Sequence, residues 1–427
     1  MPKTLIILLL LQAVYVQESI SCSGYKITVG NRTYFGSNED AWRTTPHIWF
    51  ETSKKSGPYK ACFTGSRFDG PNGYAPQSGM NEAGLAFERL ASYHPVMPSP
   101  KNRKKITNPT LYLKEILHQC KTVDEVQAFI SQYDHSFFIE DVFLYADNSG
   151  KYLVVEPYQL IPGNDASYVI SNFCPSITSA LDASRLKRYQ NGVDFLQNKI
   201  DSTLTFCRSL SDTMHVCRNK IGDGTLLTSI WDLNNKSVNL YFYHDYSQTV
   251  SFSLMNEFAK GDHILPIDSI FPENAEFEKL RNFKIPKNYL PMGIFILAAA
   301  ALFLVTALYF AISIIRTGFD TVFKPLKVGI IVLSIALFYY MYVLSGSVTV
   351  YYFPAPYIEH GNVLVSLTSY LPFVLILTTL PLGYYLYKIT KDHSWGRFSL
   401  FLLAMNWIVY FALIGLFVYW KFYTIPV

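Results

Sequence analysis

Four stretches of this 427-residue chain contain no Asp, Glu, Lys or Arg: Tyr289 to Ile315, Val328 to Leu344, Val363 to Tyr387 and Phe398 to Trp420. Each is close to or above the roughly 20 apolar residues that span a hydrocarbon core, and a charge at mid-membrane costs about 2.5–3.5 kcal/mol. That lack of charge predicts an all-α region of four transmembrane helices over residues 288–427. The connection Ser345 to Asn362 also lacks Lys and Arg, whereas Arg316, Lys324 and Lys327 flank the first connection and Lys388, Lys391 and Arg397 lie in the third. Basic loops stay cytoplasmic, so the first and third connections read as inside, and the second, together with residues 22–287, as outside. Asn406, the one strongly polar side chain in the last run, is read as an interhelical hydrogen bond, with a functional contact as the alternative.

Other absences narrow the chemistry. The nine histidines are scattered singly without metal-ligand spacing, and no glycine-rich phosphate loop occurs, so neither metal nor cofactor is expected. Net charge is only +4 and no basic patch interleaves with aromatics outside the membrane runs, which argues against nucleic acid as a partner. Cysteine is sparse: Cys22, Cys62, Cys120, Cys174, Cys207 and Cys217. If Cys22 stays free the other five leave one unpaired; Cys207 and Cys217 are the easiest pair to imagine, although spacing does not fix connectivity. Asn31-Arg32-Thr33 and Asn235-Lys236-Ser237 are acceptor sequons that carry glycans only in a eukaryote.

What is present begins with a leader. Lys3 supplies a basic start, Leu5 to Val16 an apolar core too short to span a membrane, and Ser19 and Ser21 the small side chains of a cleavage site before Cys22. Residues 1–21 therefore read as a signal peptide whose removal gives Cys22 a free α-amine. A thiol of reference pKa about 8.5 beside an α-amine of about 7.7–8.0 is a nucleophile with its own base. The competing readings are an uncleaved anchor and a lipoprotein whose Cys22 is acylated, although Ser19 stands where a lipobox usually has Leu.

From Cys22 the residues Tyr25, Ile27 and Val29 alternate with polar neighbours, Gly30-Asn31 offers a turn, and Thr33-Tyr34-Phe35 resumes an extended run. A hairpin of this length brings Asp40, 18 residues on, back beside Cys22, where its carboxylate can orient the ammonium; the alternative for Asp40 is a turn or helix cap. Asn108-Pro109 starts one helix, and Thr122 with Glu125 makes a capping box for a second. Strands are read at Val142 to Tyr145, Tyr152 to Val155, Tyr168 to Ile170, Leu226 to Asp232, Val238 to Tyr243 and Val250 to Leu254, with a helix from Arg185 to Gln197. Strand runs with helices gathered in blocks indicate α+β layers. Residues 256–287 read as the link to the membrane.

Cys22, Gly36 to Trp42, Gly79-Met80-Asn81-Glu82-Ala83-Gly84-Leu85, Ala146-Asp147-Asn148-Ser149-Gly150 with Val155-Glu156, Ser171-Asn172 and Ser184-Arg185 occur in the order seen in N-terminal-nucleophile amide hydrolases. Over residues 22–255 the chain resembles the branch holding choloylglycine hydrolases, penicillin V acylases and acyl-coenzyme A:6-aminopenicillanate acyltransferases. The resemblance implies a four-layer αββα fold, with Cys22 attacking a linear amide and its α-amine relaying the proton. It further implies that Asp40 holds that amine, Asn172 donates to the oxyanion, and Arg185 braces the nucleophile end. A second oxyanion donor then falls within Ala86 to Tyr93, with Glu88, Ser92 and Tyr93 all open. Ser37 departs from the Arg that many relatives carry just before the Asn-x-Asp segment; Arg43 and Arg185 are the candidate substitutes. The expected function is hydrolysis of the carbon–nitrogen bond of a small N-acyl amide by a membrane-anchored, outward-facing enzyme, the anchor pointing to lipid-like acyl groups. The alternatives are an acyltransferase using the same thioester and a non-catalytic tethered module.

Overall fold

The alternation that starts at Tyr25 forms a strand, Ser23–Val29, which turns through Gly30 (φ 60°) into a second, Arg32–Ala41. Their antiparallel register pairs Ser23 with Asn38 and Val29 with Arg32, so the chain returns beside its own start. The computed structural model describes residues 22–41, 44–52, 57–98, 102–198, 200–218, 221–317, 323–352, 355–356 and 363–423. The leader, residues 1–21, lies outside the described residues, as do Trp42 and Arg43. The chain divides into two units, one ending at Arg281 and the other beginning at Asn282.

In the first unit the hairpin lies inside a six-stranded antiparallel sheet, ordered Ser167–Ile170, Ser23–Val29, Arg32–Ala41, Gly224–Asp232, Ser237–Phe242 and Asp245–Ser253. A second antiparallel sheet of eight strands runs Leu160–Gly163, Tyr152–Val155, Asp141–Ala146, Ala86–Ala91, Ser78–Asn81, Ala61–Gly65, His47–Glu51 and His263–Pro266. Part of the stretch read as a link is thus folded into this unit, because His263–Pro266 closes the sheet edge against His47–Glu51. The sheets face one another: Trp231 Nε1 donates to Ser78 Oγ at 3.0 Å, and Thr64 Oγ1 donates to Glu39.

Helices cover the two outer faces. Tyr112, Leu113, Ile116 and Leu117 of the Pro109–Gln119 helix, with Val123, Val126 and Ile130 of Val123–Ile130, pack on Phe63, Phe87, Phe143 and Tyr145 of the larger sheet. Asn108 caps the first, accepting from the Leu111 N–H at 3.0 Å. Thr122 caps the second at 3.2 Å, while Glu125 reaches back to the Lys121 N–H at 2.7 Å. Cys207, Leu210 and Met214 of the Leu204–Met214 helix and Val193 and Leu196 of Lys187–Asn198 pack on Tyr25, Ile27, Tyr34 and Ile230 of the smaller sheet. The result is four layers, αββα, in an α+β unit. All six cysteines are unpaired; Cys207 is buried and Cys217 exposed, so the pair easiest to imagine from spacing does not form.

The second unit contains four segments long and apolar enough to cross a membrane: Leu290–Arg316, Lys324–Gly346, Val363–Lys391 and Arg397–Tyr419. The third is two helices, Val363–Thr368 and Leu371–Lys391, interrupted at residues 369–370; Pro372, in the first turn of the second helix, has no N–H to give the Thr368 carbonyl and its ring would clash with it in a continuous helix. The second begins ahead of the uncharged run, at Lys324, and Lys327 is nearly buried with its ammonium 3.4 Å from Ser313 Oγ and 5.4 Å from the Trp395 ring centre. Asn406 bridges helices as expected, donating to Thr306 Oγ1 at 2.7 Å.

Candidate active site

Cys22 immediately precedes an interior strand, flanked on one side by Arg32–Ala41 and on the other by Ser167–Ile170, and it is 5% exposed. Its sulfur receives the Gln77 amide at 3.4 Å and faces the backbone N–H of Asp40. Burial pushes the thiol well up, and the carboxyls of Glu88, Asp40 and Glu39 raise it further. The Cys22 carbonyl accepts from Ser171 Oγ at 3.2 Å, and the same hydroxyl lies 3.1 Å from Asn172 Oδ1. The segment carrying these two residues is held by Glu156, a buried carboxylate that accepts from the Ser176 N–H at 2.8 Å and from the Ser176 hydroxyl.

Asp40 is clamped rather than free. Arg188 Nη1 donates to its Oδ2 at 2.7 Å and Thr225 Oγ1 to its Oδ1 at 2.6 Å, while Arg218 Nη2 lies 3.9 Å from Oδ2. Burial raises the carboxyl, and the two guanidiniums, Arg188 foremost, pull the other way. Arg185 lies outside this group: its side chain is 65% exposed and bonds Asp182 at 3.0 Å. The arginine against Asp40 is three residues further on, past the turn at Arg185-Leu186 and inside the Lys187–Asn198 helix, and the run Arg185-Leu186-Lys187-Arg188 offers both positions at a spacing that sequence alone does not resolve.

Of the three oxyanion candidates, Ser92 is within 3.3 Å of the Cys174 sulfur and Tyr93 is exposed. Glu88 points toward the Ser23–Val29 strand: a Cβ built on Gly24 would lie 1.8 Å from its Oε2. Both Glu88 oxygens are buried without a hydrogen-bond partner among the described residues, as is Ser37 Oγ, although the hydroxyl lies close enough to favour the ionised carboxyl slightly. Burial, with Glu39 and Asp40 adding to it, drives the Glu88 carboxyl well up, which favours the protonated form that can donate a hydrogen bond. Asn172 donates to the Ala91 carbonyl at 2.5 Å.

Two other segments of the motif series serve the scaffold. Asn81 Oδ1 accepts from the Ala83 and Leu85 N–H groups at 3.1 and 3.0 Å, and its Nδ2 donates to the Leu117 and Cys120 carbonyls, pinning a turn to the end of a helix. Gly84 sits in that turn at φ 87°. Asp147 likewise closes its turn through Ser149 and accepts from the Val123 N–H at 2.9 Å.

No family model matches the chain, and no curated protein matches it. Among solved structures it is similar to two variants of conjugated bile acid hydrolase from Clostridium perfringens, each at 16% identity and TM-score 0.45, covering 60% and 59% of this chain and 99% and 97% of theirs. It is also similar to penicillin V acylase from Agrobacterium tumefaciens, at 15% identity and TM-score 0.40, over 52% of this chain and 82% of that one.

Proposed function

We propose that the chain is a membrane-anchored hydrolase of linear amide bonds in N-acyl amides, facing away from the cytoplasm, with Cys22 as an N-terminal nucleophile. The observation that carries the reading is the arrangement at the start of the first strand: a buried thiol against the Asp40 N–H, with the Asp40 carboxyl held by Arg188 and Thr225.

While a peptide bond occupies the Cys22 nitrogen, the thiol has no base, and its surroundings oppose ionisation. Removal of the leader supplies a basic amine on the same residue. That amine accepts the thiol proton as sulfur attacks the amide carbon; Asp40 stabilises the resulting ammonium, and Asn172 and the protonated Glu88 donate to the oxygen that becomes negative. The ammonium then gives its proton to the departing nitrogen, leaving an acyl thioester and a free amine, and water completes hydrolysis. For Asn172 this requires giving up the Ala91 carbonyl as substrate enters. The positive charge that relatives place at Ser37 is here supplied from a different element, through Arg188 and Arg218. The uncharged segments after residue 288 support anchoring, and the distribution of Lys and Arg between them supports the outward orientation.

The test is the mass of the mature N-terminus followed by turnover of N-acyl amino acids. A free Cys22 terminus, full activity in wild type, loss of activity to background in Cys22→Ser, and a loss of about 10²–10⁴-fold in Asp40→Asn are expected. A lipidated or uncut terminus, or equal rates in all three proteins, overturns the proposal. Added hydroxylamine as an acceptor separates acyl transfer from hydrolysis on the same thioester.

A further inference from the structure

Sequence spacing shows no metal ligands because the residues concerned are far apart: Cys217, His244 and Glu276 are separated by 27 and 32 positions (244 − 217 and 276 − 244). The fold brings them together. The Cys217 sulfur, one ring nitrogen of His244 and one carboxylate oxygen of Glu276 lie within 4.8 Å of one another.

Each comes from a different element, and the three are fastened together by other contacts. Cys217 bridges to Gly224 at the entry to the Gly224–Asp232 strand. His244 occupies the two-residue turn between Phe242 and Asp245, which pair across it; Tyr243 and His244 adopt φ 49° and 62°, a left-handed conformation that such turns normally give to Asn and Gly. Glu276 is on the Ala275–Arg281 helix. Tyr243 ties the three: its hydroxyl donates to the Gly222 carbonyl at 2.8 Å, and its ring packs edge-on against Phe277.

The second observation is the imidazole itself. Both ring nitrogens of His244 are inaccessible to solvent, and neither has a hydrogen-bond partner among the described residues. Two buried polar atoms left unmet on one ring are costly unless something binds them. A Cys–His–Glu catalytic relay does not meet this need, because His244 makes no hydrogen bond to either neighbour.

The geometry points to Cys217, His244 and Glu276 as ligands of a thiophilic divalent ion of the zinc class, with a fourth position open to water. Thiolate, imidazole and carboxylate are the donor set such ions favour. Bonds of about 2.0–2.3 Å at tetrahedral angles place ligand atoms roughly 3.3–3.7 Å apart, so the three draw in by about 1 Å on binding. The exposed side chains of Cys217 and Glu276 are able to make that movement. The thiolate and carboxylate together balance the charge of the ion.

The site lies next to the groups that hold Asp40. Arg218 follows Cys217 directly and bonds Asp223 at 3.1 Å, and Thr225 follows the bridge at Gly224. Metal at Cys217 therefore fixes the segment from which both Arg218 and Thr225 reach Asp40. The inference does not depend on the role proposed for Cys22.

Cobalt reports thiolate ligation directly. Full-length protein carrying Cys22→Ser, purified in detergent and stripped with chelator, is titrated with Co²⁺ alone. One equivalent should produce a thiolate-to-cobalt charge-transfer band that Zn²⁺ displaces. Cys217→Ser should abolish the band, and Glu276→Ala should weaken binding by at least the roughly 10–100-fold that even outer partners of such ligands command. In unsubstituted protein Zn²⁺ should protect Cys217 from alkylation, a readout that needs no variant to fold. Absence of a saturable band, its persistence in Cys217→Ser, or alkylation of Cys217 unaffected by Zn²⁺ overturns the assignment.

Discussion

Around Cys22 the fold gathers three buried carboxyl groups, Glu39, Asp40 and Glu88, and opposes them with Arg188 and Arg218. Removing Arg188 leaves Asp40 buried with only the more distant Arg218 to balance it. Arg188→Met should cost about 3–5 kcal/mol in thermal or denaturant unfolding, and the double variant Arg188→Met/Asp40→Asn should recover most of it. Arg185→Met, on the exposed side of the same stretch, should leave stability within about 0.5 kcal/mol. Equal losses in the two single variants would contradict the assignment of Arg188. The carboxyls also set a pH dependence. Burial pushes Glu39 up to about 8, so the folded unit keeps on this carboxyl a proton that the unfolded chain releases near pH 4; burial raises Asp40 and Glu88 as well, with Arg188 and Arg218 opposing the shift at Asp40. Their contribution is fully present below the unfolded value and is lost as pH rises toward about 8 for Glu39. Stability should fall over that window, and Glu39→Gln should remove up to about 1.4 kcal/mol per pH unit of the slope. An unchanged slope in that variant would exclude Glu39 as its source.

Elements differed in how plainly the sequence announced them. Helices with a cap were easy to read: Asn108 and Thr122 mark starts that the structure matches, and strict alternation from Tyr25 marks the first strand. The Leu204–Met214 helix was missed because its Ser and Thr residues are poor helix formers; it is held by Cys207, Leu210 and Met214 docking on the sheet, a tertiary effect. The site divides along the same line. Cys22 and Asp40 were legible because one hairpin joins them, whereas Arg188, Arg218, Thr225 and Gln77 converge only through pairing between distant strands and helices. The first hairpin also carries a steric demand. A methyl group on Gly24 overlaps Glu88 Oε2, so Gly24→Ala should displace that carboxyl and lower turnover by about 10²-fold or more, on the scale of losing one oxyanion donor. Unaltered turnover in this variant would remove Glu88 from the chemistry.

At the scale of the whole chain the two units have separate interiors: two aromatic-rich cores on the outer faces of the sheets before Arg281, and an apolar helix set after Asn282. A chain ended at Arg281 should therefore be released from membranes as a folded, soluble unit whose melting temperature matches that of the domain in the full chain. Aggregation of that fragment would show that the helical unit is needed for folding. The placement of the first strand has a further consequence for biosynthesis. Gly24 pairs with Ile170 on one side and Ser37 on the other, so this early strand waits for a segment 146 positions later (170 − 24) before its sheet position is enclosed on both sides. Until then the sulfur has no Ser171 beside its carbonyl and no Arg188 behind Asp40. The surroundings of the Cys22 sulfur are thereby completed only by segments far downstream, once more than half of the first unit has been synthesised.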